Sequence, residues 1–142
     1  MEIRRATAGD AATVAELERK YIECPWSENV VRQTIEDDLS VLYLLCEGET
    51  VVGYGGLKMA LDTAEVYNIA VEEAYRRCGC GTRLLRKLIE HAAARGAREM
   101  FLEVHENNVA AVALYTAHGF TAVRLRKNYY KSGNAVIMRR QL

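Results

Sequence analysis

The sequence predicts an α/β domain whose sheet is mixed but mostly antiparallel, with one parallel pair of strands and helices on both faces. Three observations indicate this class. Strand patterns joined by short polar turns fill residues 41–71, which is typical of antiparallel hairpins. A strand, an amphipathic helix and a second strand follow over 64–104, and such a crossover makes its two strands parallel. Two strand patterns at 121–130 and 135–139 form a closing antiparallel pair.

The first third of the chain is predicted to hold one short strand and two helices. Residues 3–6 form the strand, and Asp10 is expected to cap a helix over 11–21. A Cys-Pro-Trp segment then breaks the helical pattern. Ser27 is expected to cap a second helix over 28–38.

The remaining elements alternate between strands and helices. They are, in order, strands at 41–46, 50–60 and 64–71, a helix at 82–94, a strand at 99–104 and a helix at 109–118. Gly96 and Gly119 end the two helices. Gly53, Gly55 and Gly56 lie inside a strand, where glycine allows a neighbouring element to pack closely.

Composition bounds the class of protein. The chain has 142 residues and a mass of 16.0 kDa, the size of one domain, so residues 1–142 are expected to form a single domain. Its longest apolar run is seven residues, 109–115, whereas a membrane span needs about 20. No signal-peptide pattern opens the sequence. We therefore expect a cytoplasmic protein with no membrane partner, whose four cysteines are reduced thiols.

Charge is balanced overall but unevenly distributed. Residues 10–49 carry ten acidic and three basic residues, a net charge of −7, whereas 76–142 carry four acidic and thirteen basic residues, a net charge of +9. Such a chain could serve a cationic partner at one end and an anionic one at the other, or the asymmetry could be chance surface composition. Nucleic-acid-binding proteins are more often basic overall, so no direct nucleic-acid binding is expected.

A glycine-containing loop follows one strand and opens a helix. Its residues are Arg76, Arg77, Cys78, Gly79, Cys80, Gly81 and Thr82. Glycines let the backbone approach a ligand, the helix start supplies unpaired amide groups, and the arginines add charge, which together suit a pyrophosphate. An ordinary loop with two glycines is the alternative. The pattern matches neither the dinucleotide fingerprint nor the P-loop.

Glu103 lies on the strand predicted at 99–104. Parallel strands tend to be buried on both faces, so this side chain is expected in a partly apolar site. Desolvation there would make its carboxylate a stronger base. A solvated glutamate at a strand end is the alternative.

The segment 107–120 contains a third candidate group. One of Asn107 and Asn108 can cap the following helix, which leaves the other for a ligand. Tyr115 lies two turns into this helix. A core tyrosine is the alternative reading of that position.

These segments together resemble the GNAT family of acetyl-CoA-dependent N-acetyltransferases. The family's phosphate loop, Gln/Arg-x-x-Gly-x-Gly/Ala, is matched at 76–81, with arginine in place of the commoner glutamine at the first position. Its later motif, Asn-x-x-Ala-x-x-Leu-Tyr-x-x-x-Gly-Phe, is matched over 108–120. Within the family the chain is most similar to the RimI-type ribosomal-protein-alanine N-acetyltransferases, through 25–28, 68–71, 102–104 and 128–130.

The resemblance implies a role for each segment. Acetyl-CoA is the co-substrate, its pyrophosphate is cradled by 77–82, and no metal is needed. Glu103 is the general base and Tyr115 the general acid. The acceptor is a protein N-terminus, of alanine in a small-subunit ribosomal protein. The remaining cofactor contacts come from Ile69, Ala70, Val71 and Asn108.

Three aromatic residues, Trp26, Tyr129 and Tyr130, are expected to bind the acceptor, although core positions are an equal alternative for them. The acidic loop 23–28 is expected to border the acceptor and to favour a cationic peptide. The positive loop is expected to make Cys78 and Cys80 more reactive.

Alternative functions are acetylation of a small amine or a lysine side chain and, in a different class, a non-catalytic acyl-CoA sensor. A sensor would need neither Glu103 nor Tyr115. A zinc site at Cys78-x-Cys80 lacks a second pair of ligands.

Overall fold

The computed structural model describes residues 1–142 and contains one seven-stranded sheet. Its strands are β1 (Glu2–Arg5), β2 (Ser40–Glu47), β3 (Thr50–Ala60), β4 (Thr63–Val71), β5 (Glu99–His105), β6 (Thr121–Tyr130) and β7 (Gly133–Gln141). They lie in the order β1-β2-β3-β4-β5-β7-β6. Only β4 and β5 run parallel, and every other neighbouring pair is antiparallel. The predicted sheet class is therefore confirmed.

Four α-helices connect the strands: α1 (Ala11–Tyr21), α2 (Glu28–Glu36), α3 (Cys80–Ala94) and α4 (Val109–Ala117). The Ser27 hydroxyl accepts a hydrogen bond from the Val30 amide at 3.2 Å, so the predicted cap of α2 is confirmed. None of the helices is long and apolar enough to cross a membrane.

Two sequence expectations about helix starts are wrong. Asp10 stands at the N-cap position of α1, but its side chain makes no capping hydrogen bond there. Its carboxylate instead accepts from the Thr7 amide at 2.8 Å and pairs with Arg4 at 2.8 Å, which closes a short 3-10 turn before α1. The helix expected from residue 82 begins at Cys80, because Gly79 takes a left-handed conformation (φ +76°) and ends the preceding loop there.

The helices cover both faces of the sheet, as predicted. Along β2 the side chains alternate between two apolar clusters, because neighbouring strand residues point to opposite faces. Leu42 and Leu44 pack with α1 and α2, whereas Val41 and Tyr43 share a cluster with residues of α3 and α4.

Glycines in β3 permit this packing. A Cβ atom at Gly53 or Gly55 would lie 3.3 Å from a leucine methyl of α3, and one at Gly56 would lie 2.2 Å from Cδ2 of Leu42 on the opposite face. The predicted close approach is therefore confirmed.

The parallel pair opens halfway along its length. β4 and β5 are in register at Thr63–Glu99, Ala64–Met100 and Glu65–Phe101, and no further pairs follow. β4 shifts register against β3 just beyond this point, between Gly55 and Leu57. Irregularities of this kind bend a strand. The sheet therefore has a gap at its centre, with unpaired strand edges on either side.

Candidate active site

Two adjoining cavities occupy the gap between β4 and β5. The larger is an open groove of about 1190 Å³, and the smaller has a volume of about 240 Å³. Glu103 and Asn68 line both cavities. Trp26 and Tyr129 line only the groove, whereas Tyr115 lines only the smaller cavity. Glu103 therefore lies where the two cavities adjoin.

Glu103 is held in an ion pair. Its side chain is 27% exposed, and Nη1 of Arg126 donates to Oε1 at 2.5 Å. The Arg126 guanidinium also lies over the Tyr129 ring, 4.4 Å from the ring centre. A hydrogen bond to Glu103 raises the pKa of the Tyr129 hydroxyl, with burial as a second cause. Glu103 thus has ionic and polar neighbours, but most of the residues that line the two cavities with it are hydrophobic, so the site is partly apolar, as expected.

Tyr115 is buried where α4 meets the smaller cavity. Its ring is 8% exposed and packs edge-on against Phe120, with 6.0 Å between ring centres. Burial raises the pKa of its hydroxyl to about 12, and the neighbouring Tyr130 adds to the shift. The hydroxyl makes no hydrogen bond to the protein, although it lies at a cavity. It is therefore protonated at neutral pH and free to donate to a ligand.

A bulge in β6 directs two adjacent tyrosines to the same groove. Successive strand residues normally point to opposite faces. Here the register with β7 slips between Arg126 and Tyr130, and Asn128 takes a left-handed conformation (φ +56°). The Asn128 amide donates to Oδ1 of Asn134 at 2.8 Å, which stabilises the bulge. Tyr129 and Tyr130 both line the groove as a result, as the sequence analysis expects of acceptor-binding residues.

Trp26 forms the opposite wall of the groove. Its ring packs edge-on against Tyr67 of β4, with 4.9 Å between ring centres. Its backbone amide donates to Oε1 of Glu18 at 2.9 Å. Glu18 is 0% exposed, and its other oxygen accepts from Asn68 and Tyr54.

Sequence reasoning missed Glu18, although a signal was present. Positions 11, 14, 15 and 18 form the buried face of α1, and Glu18 is the one charged residue among them. A carboxylate on an apolar helix face requires internal hydrogen-bond donors. No comparable signal pointed to Arg126.

The strand segment 69–71 presents one free edge to the gap. On its other edge Ile69, Ala70 and Val71 face Gly55, Tyr54 and Gly53 of β3. Ile69 lines the smaller cavity, whereas the side chain of Ala70 is buried.

Asn108 also lines the smaller cavity, and its Oδ1 caps α4 by accepting from the Ala111 amide at 3.1 Å. Asn108, which is expected to contact a ligand, is thus also the cap of α4. Its side-chain nitrogen remains free to donate a hydrogen bond to that ligand.

The loop 76–82 lies at the start of α3, outside both cavities. Gly79 is exposed and left-handed, and no atom lies within 4 Å of the position that its Cβ would take. The first amides of a helix have no partner within it, so Gly81 and Thr82 offer donors there. Arg77 is exposed, whereas Arg76 turns back to donate to the Val71 carbonyl at 3.1 Å.

The two cysteines of this loop differ in their surroundings. Cys78 is exposed, but Cys80 is 3% exposed, and burial raises the pKa of its thiol. The expected activation is therefore wrong for Cys80. No group of three or more His, Cys, Asp or Glu side chains is arranged to hold a metal ion.

The gap in the sheet therefore places an ionisable pair, Glu103 with Arg126, beside two adjoining cavities. The model of the acetyltransferase (GNAT) family matches residues 11–120. The ribosomal protein bS18-alanine N-acetyltransferase of Haemophilus influenzae is 36% identical over an alignment of 144 positions, gaps included, which covers 96% of this chain and 95% of that protein. The chain belongs to the acetyltransferase (GNAT) family, and it is an N-acetyltransferase.

Solved structures agree with this assignment. The crystal structure of the ribosomal-protein-S18-alanine N-acetyltransferase from Escherichia coli matches with a TM-score of 0.90 at 30% identity, over 99% of this chain and 92% of that one. A GNAT family acetyltransferase from Elizabethkingia anophelis with acetyl-CoA bound matches with a TM-score of 0.81, over 99% of this chain and 97% of that one. At 22% identity, this second likeness shows the fold alone.

Proposed function

We propose that residues 1–142 act as one cytoplasmic catalytic domain that transfers an acetyl group from acetyl-CoA to the N-terminal α-amine of a protein. The acceptor we propose is an alanine at the start of a small-subunit ribosomal protein. The names of the Haemophilus influenzae and Escherichia coli relatives support this acceptor. The observation that carries the proposal is the position of Glu103 where the acceptor groove adjoins the cavity lined by Tyr115.

The residues around the smaller cavity fit acetyl-CoA. The free edge of 69–71 offers backbone groups to the amide-bearing arm of the co-substrate, and the Asn108 side-chain nitrogen lies beside it. The open space around Gly79, the first amides of α3 and the exposed Arg77 suit its pyrophosphate. When bound, acetyl-CoA supplies the acetyl group as a reactive thioester.

Glu103 acts on the acceptor amine. An N-terminal amine has a pKa of about 8, so most of it is protonated at pH 7 and cannot attack a carbonyl carbon. Glu103, directly or through a water molecule, takes that proton. The new C–N bond then forms as the C–S bond of the thioester breaks. A backbone amide on the free edge of β4 would stabilise the negative charge that develops on the carbonyl oxygen.

Tyr115 acts on the leaving sulfur. Burial raises the pKa of its hydroxyl to about 12, above that of an ordinary thiol, so complete proton transfer to a thiolate would be unfavourable. Tyr115 therefore donates a strong hydrogen bond to the sulfur as its charge develops. Solvent completes the protonation once the product separates.

The acceptor groove is balanced in charge. Glu65 and Glu103 line it together with Arg124 and Arg126. The loop 23–28 borders the groove as expected, but Glu23 accepts hydrogen bonds from Ser132 and Glu28 pairs with Arg32. Because the groove itself is balanced in charge and each exposed charge pair contributes only about 0–1 kcal/mol, we expect the acidic first third of the chain to contribute little to selection of a cationic peptide.

The test compares three peptides with acetyl-CoA at two salt concentrations, with products located by mass spectrometry. One peptide starts with alanine followed by arginines, one starts with alanine followed by glutamates, and one has a blocked N-terminus and an internal lysine. Acetylation should occur at the α-amine of both alanine peptides, at rates that differ by less than about fivefold, the effect of about 1 kcal/mol. Faster transfer to the lysine would contradict the proposal and assign a different acceptor class.

A further inference from the structure

Glu18 is a buried carboxylate that the proposed chemistry does not use. It lies on α1, its exposure is 0%, and no lysine, arginine or histidine pairs with it. A buried charge is costly unless hydrogen-bond donors replace water around it. Three donors do so here: the backbone amide of Trp26, the side-chain amide of Asn68 and the hydroxyl of Tyr54.

The three donors belong to separate parts of the chain. Trp26 is in the loop between α1 and α2, Asn68 is in β4 at its register shift, and Tyr54 is a core residue of β3. Trp26 lines the groove and Asn68 lines both cavities, whereas Tyr54 lines neither. One carboxylate therefore ties the loop that carries Trp26 to the strand that carries Asn68.

The contact of Trp26 with Tyr67 depends on this connection. Tyr67 precedes Asn68 in β4, and the two rings meet edge-on at 4.9 Å to form one wall of the groove. A loop between two helices has no ladder of backbone hydrogen bonds to hold it against a sheet. Glu18 supplies the missing link, because it accepts from the loop backbone at 2.9 Å and from the strand side chain at 3.1 Å.

We propose that Glu18 is a positioning residue for the acceptor: it holds Trp26 and Asn68 in the arrangement that receives the acceptor's first residues. This inference rests on the proposed function, since it assigns the groove to the acceptor. Its effect should fall mainly on the acceptor, because Trp26 lines only the groove, although Asn68 and the first residues of the loop also line the smaller cavity. Loss of Glu18 should therefore weaken acceptor binding more than acetyl-CoA binding.

Glu18→Gln tests the proposal with little change of shape. The neutral amide loses the charge that strengthens all three hydrogen bonds. Its oxygen can still accept from the Trp26 amide, while Tyr54 and Asn68 must reverse their hydrogen bonds to its NH₂ group, so the link persists only as weaker, neutral bonds. We expect the KM for an alanine peptide to rise about fivefold, the effect of about 1 kcal/mol. The KM for acetyl-CoA should stay within about twofold.

Tyr54→Phe is the matched control. It removes one donor to the same carboxylate, and so lowers the melting temperature, but it leaves the bonds to Trp26 and Asn68 in place. Both KM values should therefore match those of the wild type. A peptide KM that rises equally in Glu18→Gln and Tyr54→Phe would show that Glu18 acts only through stability, and would overturn the proposal.

Fluorescence provides a readout that needs no turnover. Trp26 is the one tryptophan in the chain, so its emission reports directly on the groove wall. Glu18→Gln should increase quenching of Trp26 by acrylamide, whereas Tyr54→Phe should not. Unchanged quenching in Glu18→Gln would also overturn the proposal. If Glu18→Gln does not fold, Glu18→Asp gives the same test, because its charge is kept but its reach is one methylene shorter.

The two proposals can fail separately. If the wild-type enzyme does not acetylate the α-amine of alanine peptides, the proposed function is wrong. If it does, but Glu18→Gln raises both KM values together or neither, only the role of Glu18 is wrong.

Discussion

Replacement of Glu103 by glutamine separates a catalytic role from a structural one. The change removes the proposed base and also breaks the ion pair with Arg126. The side chains of the pair are 27% and 44% exposed, and such partly exposed pairs contribute about 0–1 kcal/mol, at most about fivefold in a rate. Loss of a general base costs about 10²- to 10⁴-fold. Loss of the ion pair therefore explains a fall in kcat/KM of at most about fivefold. Loss of the base should lower kcat/KM by at least about 100-fold, which is roughly twenty times more.

Arg126→Gln is the matched control for this prediction. It breaks the same ion pair from the other side but keeps the carboxylate of Glu103. Its kcat/KM for an alanine peptide should fall less than about fivefold. A loss as large as that of Glu103→Gln would refute a role for Glu103 as base and assign the effect to the pair itself.

The dependence on pH gives a second, independent test of Glu103. With a pKa of about 8, roughly one-tenth of the acceptor amine is neutral at pH 7 and roughly nine-tenths at pH 9. The defect of Glu103→Gln should therefore shrink about ninefold between these pH values, as measured by initial rates of acetyl transfer. A defect that stays constant over this range would mean that Glu103 positions the substrate rather than removing its proton.

Three further predictions follow from other parts of the site and the core. Tyr115→Phe should lower kcat, while the KM for acetyl-CoA and the melting temperature stay unchanged, because the hydroxyl has no protein partner. Since burial raises the pKa of Tyr115 to about 12, its ionisation should not lower the wild-type rate up to about pH 10. A fall at lower pH that is traced to Tyr115 would contradict its burial. Acetyl-CoA at 100 times its Kd should stabilise the wild type by about 2.7 kcal/mol in thermal unfolding. At the same concentration acetyl-CoA should stabilise Arg77→Ala clearly less, and equal stabilisation of the two proteins would show that Arg77 does not bind the pyrophosphate. Gly56→Ala should destabilise the fold by about 1–3 kcal/mol in urea, since the added Cβ would lie 2.2 Å from Leu42, and full stability would show that Leu42 can move aside.

The elements of the fold followed from local patterns. The alternating strands, the helical face of α3 and the glycines Gly96 and Gly119 each depend on neighbours within a few positions along the chain. Both glycines take positive φ (+86° each) after the helices that they end. The errors lie at the ends of elements: α3 begins at Cys80 rather than at residue 82, and α2 ends at Glu36 rather than at residue 38.

Part of the site was also visible in the sequence. The loop 76–82 and the segment 108–120 carry motifs whose residues act close to one another along the chain, so their spacing was sufficient to single them out. The pairing of Asn108 with the Ala111 amide is an example, since a cap and its donor are three residues apart. Tyr115 followed from the same motif, and the structure places it at a cavity.

What the sequence by itself determined is therefore the set of strands and helices and the short motifs between them, because these depend on contacts local in the chain. Only the tertiary structure decided the partners of the reactive groups. Arg126 meets Glu103 across 23 positions of sequence, and Asn68 meets Glu18 across 50. Such contacts are set by the register of distant strands and by bulges such as the one at Asn128. A shift of one residue in that register would turn each side chain to the opposite face of the sheet, and no local pattern fixes it.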